Sequence, residues 1–151
     1  MSGENSQVRL WVAAALVWCE GRLLLQRRAI TAQHGAGKLE FPGGKIEPGE
    51  SAEAALAREL VEEWGPAAGE LQVGRIVTVI HHIYPLPGPE VQLLLYSVEA
   101  PSWRVADWKA CVHAEAGVGL EDYAPAQLPL ADFLEADQEL VERLKANPAA
   151  F

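Results

Sequence analysis

The sequence is poor in cysteine, and this argues against one large class of metal site. The chain has two cysteines in 151 residues, Cys19 and Cys111, with no CxxC spacing and no metal-ligand pattern around them. We therefore expect no cysteine-bound zinc. Two free thiols in a reducing compartment are expected, with a single disulfide between them as the alternative.

Basic residues are also scarce. The chain has 12 lysines and arginines against 21 acidic residues, which gives a net charge of −9. A nucleic-acid-binding surface needs basic side chains to neutralise phosphates, so we expect no nucleic-acid partner. A small anionic substrate would have to arrive with a metal ion or meet a local basic cluster.

Long apolar runs, internal repeats and linkers are absent as well. The apolar run from Leu10 to Val17 is too short to span a membrane, and residues 1–7 are polar, unlike a secretory signal. We expect a cytoplasmic protein without membrane contact, built as a single domain over residues 1–151 with a flexible N-terminus at 1–7. That length can bury a core without help from disulfides.

The segments that are present alternate between strand and helix patterns. Expected strands are 8–18, 22–26, 71–84 with a bulge at Gly74, and 90–99, followed by a short strand. One helix is expected between Ser51, a candidate N-cap, and Gly65, and another over 129–145, with a turn or short helix at 120–128. The expected fold class is α/β, a mixed sheet sandwiched between helices (α/β/α).

The most informative segment runs from Leu39 to Pro66, with the sequence LEFPGGKIEPGESAEAALARELVEEWGP. In its helical part, Glu59, Glu62 and Glu63 are spaced i, i+3 and i+4, so they share one face. Three carboxylates this close repel one another unless a cation lies between them, and oxygen-only ligands favour Mg²⁺ or Mn²⁺ over zinc. The expected apolar face lies opposite: Ala54, Ala57, Val61 and Trp64, with Leu60 on its flank. The alternative to a metal site is that the three glutamates form an ordinary solvated helix face.

The spacing of this segment resembles the Nudix box, the signature of hydrolases that cleave a nucleoside diphosphate linked to another group. Gly44 is followed after five residues by Glu50 and after seven more by Arg58-Glu59-Leu60, then by Glu62-Glu63 and Gly65. The sequence departs from the family pattern at Pro66, where an aliphatic residue is usual. The resemblance implies Mg²⁺ or Mn²⁺ held by Glu59, Glu62, Glu63 and the Gly43 carbonyl. Arg58 would hold one of the carboxylates by an ion pair.

Residues outside the box resemble the MutT branch of this family. A strand ends in Arg27-Arg28, His34 follows six residues beyond, and KLEFPGGKIE comes next. The resemblance implies substrate contacts by Arg28, His34 and Phe41, although His34 could be a surface residue and Phe41 part of the core. Arginine is the best phosphate-binding side chain, so one of Arg27 and Arg28 is expected to bind phosphate; the alternative is a solvated strand end.

Two later residues complete the implied site. Asp132, in the segment LPLAD, matches the family position that hydrogen-bonds the base, and the alternative is an N-cap of the last helix. Glu115 is a candidate for assisting the metal or accepting the proton, with a solvated glutamate as the alternative. The implied site residues are therefore Arg27, Arg28, His34, Phe41, Gly43, Arg58, Glu59, Glu62, Glu63, Glu115 and Asp132.

The resemblance implies hydrolysis of ordinary or oxidised nucleoside triphosphates to a monophosphate and pyrophosphate, by a monomer or homodimer acting on a small nucleotide. Two alternatives remain. One is a Nudix pyrophosphatase for a nucleotide-sugar or dinucleotide, and the other is a non-catalytic nucleotide-binding module on the same fold.

Overall fold

The computed structural model describes residues 6–151, so the expected flexible N-terminus at 1–7 lies mostly outside the described residues. The strands are β1 (Arg9–Cys19), β2 (Arg22–Arg27), β3 (Leu39–Glu40), β4 (Gly43–Lys45), β5 (Gln72–Ile83), β6 (Glu90–Glu99) and β7 (Gly119–Tyr123). The helices are α1 (Ala52–Trp64), α2 (Trp108–Cys111) and α3 (Glu135–Ala146). Within the described chain, no helix is both long and apolar enough to cross a membrane.

One mixed sheet joins the seven strands in the order β3-β2-β1-β6-β5, with β4 added to β1 and β7 to β2. β1 is antiparallel to β2 and β4 but parallel to β6. β1 and β2 pair only near their shared turn, over Val17–Cys19, and β4 pairs with β1 over Val12–Ala14. The glycine-rich segment therefore lies beside β1, close to where β2 ends.

Alternate residues of β1 supply two hydrophobic cores, one on each face of the sheet. Ala13, Ala15 and Val17 pack with the buried side of α1 and with three tryptophans. Ala14 and Leu16 pack with α3. Because successive strand residues point to opposite faces, a single apolar strand can serve both layers. The predicted α/β/α sandwich is confirmed.

Helix α1 begins and ends as predicted, but its buried side differs from the prediction. The Ser51 hydroxyl accepts a hydrogen bond from the Ala54 N–H (3.1 Å), and Gly65 ends the helix with φ of +89°. The buried residues are Ala55, Leu56, Leu60 and Trp64, so the expected burial of Ala54, Ala57 and Val61 is wrong. The apolar stripe follows the i, i+4 spacing Leu56-Leu60-Trp64, which lies on the same half of the helix as Glu59 and Glu63.

The C-terminal third also departs from the predicted boundaries. Residues 120–123, expected in a turn or short helix, belong to β7, which pairs with Leu23–Arg27. The last helix begins at Glu135 rather than at Pro129, because Phe133 is extended and bridges Leu39. The predicted irregularity near Gly74 is confirmed, since the β5–β6 register shifts between Val73 and Thr78.

Candidate active site

A cleft of about 570 Å³ opens where the end of β2 meets α1. Two loops, at 29–33 and 115–118, form its other walls. The cleft gathers residues that lie far apart in sequence: Gln26, Arg28, Ala29, Thr31, Ala32, Gln33, Glu40, Glu59, Glu62, Glu63, Glu115, Ala116 and Val118. Five of these thirteen residues are glutamates and one is an arginine, so the cleft has a strongly negative wall with one local positive charge.

Glu63 is a partly buried box glutamate held by two hydrogen bonds. One carboxylate oxygen accepts a hydrogen bond from the Gly43 N–H (3.0 Å) and the other accepts one from the Gln26 amide. Burial raises the pKa of Glu63 to about 7, and the charges of Glu40 and Glu59 add to the shift, while the two hydrogen bonds oppose it. Without a cation, the cleft therefore disfavours the charged form of this side chain.

Arg58 organises the opposite side of the helix. Its guanidinium pairs with Glu50 (2.6 Å), Glu59 (3.0 Å) and Glu62 (3.2 Å) and donates to the Lys45 carbonyl (3.1 Å). Arg58 lowers the pKa of Glu50, and the pKa of Arg58 itself is raised, first of all by Glu50. Arg58 was expected to hold one carboxylate by a bidentate ion pair; its two-point contact is with Glu50, and it makes single contacts with Glu59 and Glu62.

The glycine-rich turn allows carboxylates to approach the backbone. A side chain at Gly44 would overlap the carboxylate of Glu59. Gly43 has φ of +156°, and a side chain there would overlap the Ala13 carbonyl oxygen. Glycine is needed at Gly43, where the neighbours are backbone atoms of β1, whereas at Gly44 the neighbour is the flexible end of the Glu59 side chain.

The potential metal ligands in the cleft are of the chemical type that a hard divalent cation prefers. All five acidic side chains offer oxygen, which Mg²⁺ and Mn²⁺ prefer. Across residues 6–151, however, no three acidic, histidine or cysteine side chains already lie close enough together to hold an ion. Arg58 contacts Oε1 of Glu59 and Oε2 of Glu62, so the second oxygen of each carboxylate is not engaged by this arginine.

The two neighbouring arginines have different surroundings. Arg28 lines the cleft and pairs with Glu40 (3.1 Å), and its Nε is buried without a partner among the described residues. Arg27 instead pairs with Glu121 (2.5 Å) and Asp132 (3.1 Å) and donates to the Gly37 carbonyl (2.9 Å). Glu121 is the main cause of the raised pKa of Arg27. Of the two, Arg28 is the arginine with access to a ligand in the cleft.

Three other predicted substrate residues lie outside the cleft lining. Phe41 is buried and stacks on Phe133 with ring centroids 5.4 Å apart, so it belongs to the core in this conformation. Asp132 is half exposed and paired with Arg27, and it does not cap the last helix, whose N-cap is Leu134. His34 is exposed in the loop after β2. Glu115, by contrast, lines the cleft with the box glutamates.

Sequence reasoning missed Gln26 and Glu40. Gln26 is 4% exposed, and its amide contacts Glu40, Glu63 and Trp64. The pattern that could have found Gln26 is a polar residue closing the apolar strand RLLLQ, because a buried amide must be hydrogen-bonded.

Comparison with known proteins identifies the family. The NUDIX domain family matches residues 9–143, which is most of the chain. The chain belongs to the NUDIX domain family. Two curated relatives from Escherichia coli K12 resemble it along nearly their whole length. One is named 8-oxo-dGTP diphosphatase (32% identity, 81% of this chain and 93% of the relative), and the other is named CTP pyrophosphohydrolase (33%, 92% and 93%).

Solved structures of similar proteins confirm the fold. The solution structure of the E. coli ORF135 protein superposes with a TM-score of 0.69 at 30% identity and covers 95% of this chain and 94% of that one. A MutT Nudix hydrolase from Burkholderia pseudomallei superposes with a TM-score of 0.70 at 24% identity, covering 91% and 99%. The predicted class, a MutT-like Nudix hydrolase, is confirmed.

Proposed function

We propose that this Nudix hydrolase is a nucleoside triphosphate pyrophosphohydrolase that needs Mg²⁺ or Mn²⁺ and releases a nucleoside monophosphate and pyrophosphate. The observation that carries the proposal is the convergence of Glu59, Glu62, Glu63 and Glu115 with Arg28 on one cleft. An acidic cleft repels a polyphosphate unless cations neutralise both, so the charge of the site itself favours a metal-bound nucleotide.

In the proposed site, Glu59, Glu62, Glu63 and the Gly43 carbonyl hold the metal. When bound, the metal neutralises phosphate oxygens and lowers the pKa of an attacking water. Arg58 positions Glu59 and Glu62 through the ion pairs described above. Arg28 binds a phosphate group, since it lines the cleft and its Nε lacks a partner among the described residues. One of the glutamates, including Glu115, accepts the proton of the water.

The base is proposed to contact Asp132, with His34 and Phe41 nearby. Asp132 is half exposed despite its ion pair with Arg27, so its carboxylate remains accessible. An ionised carboxylate only accepts hydrogen bonds, and a base that presents N–H groups at this position is its natural partner. The two E. coli relatives are named for different bases, 8-oxoguanine and cytosine, so their names support the reaction rather than one base.

A panel of substrates tests the proposal. The four ordinary deoxynucleoside triphosphates, CTP, 8-oxo-dGTP, ADP-ribose and a dinucleoside polyphosphate are incubated with Mg²⁺ or with EDTA, and the products are separated by ion exchange. We expect monophosphate and pyrophosphate from at least one triphosphate with Mg²⁺ only. Cleavage of ADP-ribose or the dinucleoside polyphosphate faster than of any triphosphate would contradict the proposed substrate class. No cleavage of any compound would favour a binding module.

A further inference from the structure

Gln26 is a buried amide that joins the Trp-lined core to the acidic cleft. It lies at the end of β2 and is 4% exposed. Trp64 Nε1 lies 2.7 Å from its Oε1, and Glu40 Oε1 lies 2.9 Å from its Nε2, which also bonds Glu63. Both of its N–H groups and one lone pair of its oxygen are therefore used inside the protein.

Trp64 determines which way this amide points. An indole N–H can only donate, so it must meet the oxygen of Gln26 and not the nitrogen. With the oxygen fixed on Trp64, the NH₂ group faces Glu63 and Glu40 and donates one hydrogen bond to each carboxylate. In the flipped orientation, an N–H would oppose an N–H and an oxygen would oppose two carboxylates, which buried polar groups do not tolerate.

The indole is itself held rigidly. Trp64 is fully buried, stacks on Trp103 with ring centroids 6.2 Å apart and lies tilted against Trp108 with centroids 5.6 Å apart. The Trp108 N–H is used by Asp122 (2.9 Å), whereas the Trp103 N–H has no partner among the described residues. Within this cluster, Trp64 is the tryptophan bonded to Gln26.

The amide also connects the two halves of the cleft. Glu63 belongs to the proposed metal side, and Glu40 is the carboxylate that pairs with Arg28, the proposed phosphate ligand. A single donor group placed between two carboxylates reduces their mutual repulsion and fixes both side chains. Neighbouring groups that orient metal ligands in this way strongly affect metal affinity.

We propose that Gln26, oriented by Trp64, is a positioning residue that holds Glu63 for metal binding and Glu40 for the placement of Arg28. This inference rests on the proposed metal site. It adds Gln26 and Trp64, which do not bind the metal themselves but fix the orientation of the ligand side chains before the metal binds.

Mn²⁺ binding without nucleotide tests the proposal, with the free ion measured by its electron paramagnetic resonance signal. Gln26→Met keeps the length of the side chain but removes the amide, and we expect Mn²⁺ affinity to fall about 10- to 100-fold. Trp64→Phe removes only the indole N–H, and we expect a smaller loss in the same direction. Trp108→Phe removes an indole hydrogen bond from the same cluster and should bind like the wild type.

A double variant separates positioning from a general loss of stability. Gln26→Met leaves the buried Trp64 N–H without a partner, so this variant should melt at a lower temperature. Replacing both partners, as Trp64→Phe with Gln26→Met, removes the orphaned donor and should recover part of the melting temperature. We expect Mn²⁺ binding to stay weak in the double variant. If Mn²⁺ affinity returned together with the melting temperature, Gln26 would be a structural residue only.

The Trp64 indole proton provides a spectroscopic readout. Because Trp64 is one hydrogen bond away from Gln26, Mg²⁺ titration should shift its indole N–H resonance in the wild type and leave it in place in Gln26→Met. Equal shifts of the Trp64 and Trp108 resonances would contradict the link. A wild type that binds no Mn²⁺ would overturn the proposed metal site as well, whereas wild-type binding by Gln26→Met would overturn only the role of Gln26.

Discussion

At the scale of single residues, identical side chains acquire different roles from the direction in which they point. Arg27 and Arg28 are neighbours at the end of β2, yet Arg27 is tied to Glu121 and Asp132 while Arg28 faces the cleft. Adjacent strand residues point to opposite faces, and the sequence alone does not say which face will hold the site. The Arg-Arg pattern alone predicted the pair as a phosphate-binding candidate without choosing between its members, whereas the resemblance to the MutT branch pointed to Arg28.

Gly44 offers a test of how closely the box glutamates pack on the backbone. A methyl group at this position would overlap the Glu59 carboxylate, which is the free end of a flexible side chain and can move aside. We expect Gly44→Ala to fold with a nearly unchanged melting temperature but to lose about tenfold or more in Mg²⁺-dependent turnover. Gly69→Ala is the matched control, since a methyl group there has no neighbour within 4 Å. Unchanged turnover in Gly44→Ala would show that the position of Glu59 does not matter.

At the scale of elements, helix α1 combines burial and chemistry on one side. Sequence periodicity predicted its limits because Ser51 and Gly65 are strong end markers. It misplaced the apolar side, because carboxylates were assumed to face away from the core. In the structure, Glu63 lies against β2 and the glycine-rich turn, where Gln26 and Gly43 satisfy it. Long-range partners of this kind cannot be seen in a local pattern.

Helix α3 carries a second buried carboxyl group, Asp137, which is 7% exposed. Burial, helped by the charge of Glu40, raises its pKa from 3.8 to about 7. Between these values the folded chain binds more protons at Asp137 than the unfolded chain does. The contribution of this group to the free energy of unfolding is therefore greatest below about pH 4 and falls as the pH rises towards 7.

Asp137→Asn tests this titration. The variant cannot ionise, so its stability relative to the wild type should rise between pH 5 and pH 8, on the order of 1 kcal/mol per unit of pKa shift. Urea unfolding at both pH values measures the difference. Glu139→Gln, on the same helix, is the comparison for a carboxylate that is not buried among the core residues. A pH-independent difference between wild type and Asp137→Asn would contradict the raised pKa.

At the scale of the whole molecule, the family could be predicted and the assembly of the cleft could not. The spacing from Gly44 to Gly65 was sufficient to indicate a Nudix hydrolase, and the matched domain over residues 9–143 confirms it. The cleft, however, combines β2, β3, α1 and the loop at 115–118, whose approach depends on strand pairing across the sheet. The short strands β3 and β4 and the pairing of β7 had no strong local pattern, so Gln26 and Glu40 remained unnoticed.

The whole-molecule charge fits this arrangement. A chain with a net charge of −9 places five glutamates in one cleft and one arginine beside them. Such a surface has no evident affinity for a free polyphosphate, and a divalent cation supplies the missing attraction. The proposed reaction therefore depends on the carboxylates being able to hold that cation.

Pyrophosphate release from the best triphosphate of the panel, measured against Mg²⁺ concentration, tests this dependence most directly. Wild type is compared with Glu63→Gln and with Glu70→Gln, which removes the same charge from an exposed position outside the cleft. We expect Glu70→Gln to match the wild type and Glu63→Gln to lose about 100-fold or more, the scale of removing a proton acceptor or a group that stabilises charge. Full Mg²⁺-dependent turnover by Glu63→Gln would contradict the proposed metal site.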